Sequence, residues 1–170
     1  MFTFFKMTKK HETTTSLQAK IEQATPILSV EKGSKLEKQL EIIGLDEQDL
    51  AIIQVLQEYV EPAINDIVTD FYDALRHSPK LVNIIDNNSS VERLKKTLRV
   101  HIAEMFSGVI DDEYIQKRIR IANTHVHIGL SQKWYIASFQ VILNNLIAII
   151  QKNFRSYNEQ GKAIMAVTKL

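Results

Sequence analysis

From Leu36 to Leu170 the apolar residues recur three and four positions apart, and no stretch alternates apolar with polar convincingly. That period belongs to α-helices packed by one face, whereas half-buried strands would show a period of two. Only three prolines and five glycines punctuate the sequence. Sparse breaks and a helical period together predict an all-α fold of about seven or eight helices. A length of 170 residues suits one domain with a full-sized core.

The punctuation sets the expected boundaries. Residues 1–30 are polar and rich in Thr and Lys, and read as a flexible arm with a short helix around Ser16–Gln23. The main domain then occupies residues 31–170, without an internal repeat. Leu36–Ile43 reads as a short helix stopped by Gly44, and Asp46 is placed to cap the next. Pro62 fits a first helical turn or a kink. Ile64, Ile67, Val68, Phe71, Tyr72 and Leu75 keep helical spacing up to Ser78-Pro79. Leu81–Ile85 is expected as a short apolar turn before the polar loop Asp86–Ser90. Ser89-Ser90-Val91-Glu92 has the spacing of a capping box. Trp134 to about Phe154 is a long helix with apolar residues almost all round, which implies burial on two sides and a second subunit on one of them. Ser156–Leu170 ends without a terminator, as if a larger protein continued beyond it.

Composition removes several function classes. Twenty-one basic residues against twenty acidic ones leave a net charge of +1, no basis for a nucleic-acid or anionic-membrane partner. The chain has no cysteine, which rules out disulfides, thiolate metal sites, cysteine nucleophiles and iron–sulfur clusters. No apolar stretch near the N-terminus is long enough for a signal peptide. The greasiest run, Val141–Ile150, is about half a membrane span and is interrupted by Asn144 and Asn145. These features predict a soluble, cytoplasmic protein without membrane insertion.

The stretch Asp111–Tyr135 carries the first chemical signal. Its opening carboxylates suit a helix N-terminus, Gly129 suits the C-terminus, and Ser131 offers an N-cap for the next helix. On a helical wheel Tyr114, Arg118, Ile121, His125 and Ile128 share one face, with Arg120, Asn123 and His127 opposite. His125 therefore points into an apolar face and His127 to water. The preceding helix repeats the theme, with Leu94, Thr97, Leu98, His101 and Met105 on one face. A lone imidazole in such a face is either an axial iron ligand or a hydrogen-bonded core histidine. The Glu-x-x-His pairs of di-iron bundles, the H-E-x-x-H zinc motif and the G-x-S-x-G elbow are all absent. A flat cofactor between two neighbouring helices needs only one strong axial ligand, apolar walls and a few polar tips.

The segments FYDAL (71–75), SSVERLKKTLRVHIAEMFSGVIDDEYI (89–115) and KRIRIANTHVHIGLSQKWY (117–135) closely resemble the haem domain of globin-coupled sensors, among them the aerotaxis transducers. The likeness runs from about residue 35 to Leu170. It implies a globin fold that binds haem b, with His125 as the proximal iron ligand within R-I-A-x-x-H-x-x-I-G-L. Tyr72 stands at the distal tyrosine position beside Phe71, Thr97 at the distal threonine and Leu94 at a neighbouring gating leucine. His101 matches a histidine at the haem edge, near a propionate. Ile121 shares the inward face of His125, and Trp134 and Tyr135 match the pair that opens the penultimate helix. The resemblance also implies a homodimer through the last two long helices and a C-terminal signalling module of chemotaxis-receptor type, or a cyclase, outside these 170 residues. His127 departs from the basic residue expected there, and it faces away from the pocket.

The function expected on these grounds is that of a non-enzymatic haem-based gas sensor, for dioxygen above all, with carbon monoxide and nitric oxide as further candidate ligands. Two other classes compete: a globin-fold interaction module that has lost haem, and a haem enzyme acting on dioxygen, nitric oxide or peroxide. A Soret band separates the first rival, and rapid turnover with a reductant the second.

Overall fold

The computed structural model describes residues 16–170, and the first fifteen residues of the expected arm lie outside it. Described residues form α1 (Leu17–Ile21), β1 (Ile27–Leu28), α2 (Lys35–Ile43), α3 (Glu47–Val60), α4 (Ile64–Leu75) and α5 (Pro79–Asn88). These are followed by α6 (Val91–Met105), β2 (Val109–Ile110), α7 (Asp112–His127), α8 (Gln132–Asn153) and α9 (Tyr157–Val167). Among the described residues the fold is all-α apart from one pair of two-residue strands.

Local chemistry accounts for most boundaries. Asp46 and Asp49 form a reciprocal capping box at the start of α3, each carboxylate accepting from the other's backbone N–H. Each such cap satisfies donors that the first helical turn leaves free. Ser34 accepts from the Glu37 N–H, and Gly44 ends α2 in the left-handed region at φ 64°. Pro62 falls in a single 3-10 turn, Glu61–Ala63, that joins α3 to α4. Asp111 caps α7 through the Tyr114 N–H. Two expectations change here. Leu81–Ile85 is no turn but the middle of α5, whose Pro79 occupies the first turn, where its missing N–H costs nothing. Ser90, not Ser89, caps α6, through the Arg93 N–H.

The core lies where α3 crosses α9 and where α4 meets α6 and α8. Ala163 and Ala166 are wholly buried at the first crossing, so small side chains let α9 approach Leu50, Ile53 and Leu56 closely. Ile67, Val68 and Ile102 fill the second, and Ile142, Leu146 and Ile150 line the inner face of α8. With 22 residues and a mean hydropathy of 1.3, α8 is long and apolar enough to cross a membrane by length and composition. Here it is instead packed against α3, α4 and α9.

The arm is tied down from Ser16 onward. Leu17 is 3% exposed, and its N–H donates to the Glu159 carboxylate of α9 at 2.9 Å. Further on, β1 pairs in parallel with β2, with Ile27 opposite Val109 and Leu28 opposite Ile110. Residues 16–30 thus belong to the packed body, because partners far along the chain take up their apolar and polar groups.

Candidate functional site

By contrast with the other long helices, α7 has no fully buried residue, although its inward face is apolar. That face borders a cleft instead of a packed neighbour. The cleft encloses about 200 Å³ and opens broadly to solvent, and its lining is overwhelmingly apolar. Its walls come from five helices. Phe71 and Tyr72 enter from α4, Leu81 and Ile85 from α5, and Leu94, Thr97 and His101 from α6. Ile121 and His125 come from α7, and Tyr135, Ser138 and Phe139 from α8. Of the residues expected at a site, only Trp134 stays out of the lining; it is half-buried, and its carbonyl accepts from Ser138 Oγ at 2.7 Å.

The end of α7 fixes His125. Gly129 adopts φ 72°, its N–H donates to the Val126 carbonyl, and the Leu130 N–H reaches back to the His125 carbonyl at 3.0 Å. These paired bonds are the Schellman arrangement, which brings the residue after the glycine over the last turn. Leu130 and His125 accordingly line the same cleft. Nδ1 of His125 is buried and has no hydrogen-bond partner, while the residue lines the cleft. Burial also pushes the ring's pKa below the usual histidine value, which keeps it neutral at neutral pH. A neutral ring has the free lone pair that a metal ligand requires. The Tyr135 ring lies 5.3 Å from the His125 ring at a 60° tilt.

Tyr72 is buried and packs edge-on against Phe71 at 5.1 Å, and burial pushes its hydroxyl pKa up to about 12. Thr97 faces the cleft while its Oγ1 donates to the Arg93 carbonyl at 3.2 Å. His101 is bonded through Nδ1 to the Arg118 guanidinium. Arg118 also reaches Glu104 at 3.2 Å and lies over the Tyr114 ring at 4.3 Å. His127 is exposed, as its helical phase requires.

These residues fit haem on chemical grounds. Among the described residues no three His, Asp or Glu side chains converge, so a metal held here needs most of its donors from elsewhere. A porphyrin brings four nitrogens of its own and asks the protein for one imidazole and apolar walls. The sequence reading missed the α5 wall, although Leu81, Ile84 and Ile85 carry helical spacing after Pro79.

A helical body whose open apolar cleft receives the neutral His125, with His101 also in its lining, has the architecture of a globin. The globin domain of a Geobacter sulfurreducens globin-coupled sensor superposes with a TM-score of 0.73 at 23% identity, covering 79% of this chain and 88% of that one. The chain belongs to the Protoglobin family, whose model matches residues 32–170. A curated relative, the heme-based aerotactic transducer HemAT of Halobacterium salinarum, is 30% identical over 101 residues. That match covers 59% of this chain and 21% of the transducer, so the chain spans only a fraction of that relative's length.

Proposed function

We propose that this chain is a haem b-binding gas-sensor domain, with dioxygen as its principal ligand and carbon monoxide and nitric oxide as further diatomic ligands. One observation carries the reading: in a Protoglobin-family chain, a neutral histidine with a buried, unpartnered Nδ1 lines an apolar cleft that also receives Tyr72 and Thr97. Haem supplies the iron that takes a diatomic gas. His125 holds that iron through Nε2, Ile121 and Phe71 keep water away, and Tyr72 and Thr97 offer hydroxyl donors beside Leu94. In this reading His101 and Tyr135 border the cofactor, whereas Trp134 supports α8 from outside the lining.

The named relative is a transducer several times longer than this match. By analogy, the domain feeds a C-terminal signalling module of chemotaxis type, works in the cytoplasm and performs no turnover of its own. Two copies pair through α8 and α9, whose Ile136 and Met165 are 60% and 62% exposed.

Visible absorption spectra of the purified chain, ferric, ferrous and ferrous under air, test the proposal beside His125→Ala. The expected result is a Soret band, a ferrous spectrum that changes reversibly on exposure to air, and loss of both in the variant. A wild-type chain that takes up no haem during expression or reconstitution would sink the sensor reading in favour of a haem-free interaction module.

A further inference from the structure

The cleft contains a second imidazole, and its chemistry is not free. His101 lies one helical turn after Thr97 on α6, and its Nδ1 contacts Nη1 of Arg118 from α7. A guanidinium has donors only, so Nδ1 has to accept. A neutral ring that accepts at Nδ1 carries its proton on Nε2. The guanidinium is itself well held. Nη2 meets Glu104 at 3.2 Å, the plane rests on Tyr114, and the side chain is only 20% exposed. Lys117 pairs with the same glutamate at 3.1 Å and fixes it from the other side.

We propose that Arg118 is a positioning residue that locks His101 in its Nε2–H form, so that His101 presents a hydrogen-bond donor to the cleft and withholds the lone pair with which it would bind iron. The clause about iron rests on the haem reading given above; the clause about the tautomer does not. Imidazole ligates a metal through an unprotonated ring nitrogen. For Nε2 to become that nitrogen, the proton must move to Nδ1, where it would face the N–H of Arg118. Protonating the ring creates the same clash of donors. Arg118 therefore disfavours both the ligating tautomer and the imidazolium. Two histidines line this cleft, and the lock leaves only His125 competent to ligate. One face of the iron is then kept for a gas.

The tautomer is read directly by nitrogen-15 NMR of the histidine rings in the haem-free chain. Wild type is expected to show the Nε2–H pattern at His101, and Arg118→Met a mixture or the Nδ1–H pattern. Loaded with haem and reduced, Arg118→Met should gain the split visible bands of six-coordinate low-spin iron. Its carbon monoxide affinity should fall about tenfold if nine-tenths of the molecules close. Arg118→Lys, which keeps a donor, and the double variant Arg118→Met/His101→Gln should both return to the wild-type spectrum. An Nδ1–H pattern in wild type overturns the proposal, as does an Arg118→Met spectrum identical to wild type. If neither protein takes up haem, the sensor reading and the ligation clause fall together, and the NMR pattern alone decides the tautomer.

Discussion

Thr97 donates its hydroxyl to the carbonyl of Arg93 within its own helix, at 3.2 Å, while the same side chain lines the cleft. A hydroxyl committed in this way must leave its carbonyl before it can serve a ligand, and the bond it then makes is worth about 0.5–1.5 kcal/mol net. Thr97→Val is thus expected to speed dioxygen release roughly three- to tenfold, measured by stopped-flow displacement with carbon monoxide. An unchanged rate would assign the Thr97 hydroxyl to its helix alone. Tyr72→Phe is the parallel case. Because burial holds the Tyr72 hydroxyl protonated up to about pH 12, its contribution should not vary with pH through the neutral range. His125 was legible in the sequence because a helical wheel alone places it inward. The Arg118–His101 contact was not, since it joins two helices and the tautomer follows from which atoms meet.

At the level of elements, α6 and α7 follow from capping residues and periodicity. The α8 helix follows from periodicity alone, since the Ser131 hydroxyl at its start makes no capping bond, whereas α5 and β1 follow from neither. The apolar residues of α5 span one and a half turns between a proline and an Asn/Ser-rich stretch, so its pattern is too short to separate helix from turn. β1 has two residues, too few for any alternation. The short helix before β1 was legible, since α1 falls within the expected Ser16–Gln23, but its anchoring was not: the groups that fix Leu17 lie on α3 and α9, and Glu159 is 142 positions away. Leu17→Ala decides whether that packing matters. Emptying a buried leucine site costs about 2–5 kcal/mol, and for a domain of this size each kcal/mol lowers Tm by roughly 2–4 °C. A thermal-melt decrease of less than about 2 °C would return the segment to a loose arm.

For the molecule as a whole, α8 and α9 carry the largest unanswered apolar demand. Tyr157 and Met165 on α9 and Ile136 on α8 are mostly exposed, although both helices also present well-packed inner faces. Large apolar side chains at that exposure suit a surface covered by a second copy. The double substitution Ile136→Glu/Met165→Glu should weaken self-association at least about tenfold, followed by sedimentation velocity, and leave the Soret band in place. A wild-type chain that sediments as a monomer at tens of micromolar would remove the dimer from the proposal. The greasiness of this region was visible in sequence, and the expectation of a second subunit there came from it together with the family resemblance, because periodicity alone reports an apolar face without naming what covers it.

The strand pair also bears on how the chain reaches this structure. Ile27 meets Val109 from the far end of a loop of more than eighty residues, whereas every helical hydrogen bond closes within four. Contacts that close long loops gain little until the intervening chain is already compact. With only two residues on each strand to hold it, the β1–β2 pair is expected to form late in folding and to open early. In hydrogen exchange the amides of Ile27 and Ser29 would then lose protection before those of the helical core, leaving the stretch next to the cleft-forming helices readier to come loose than the helices themselves.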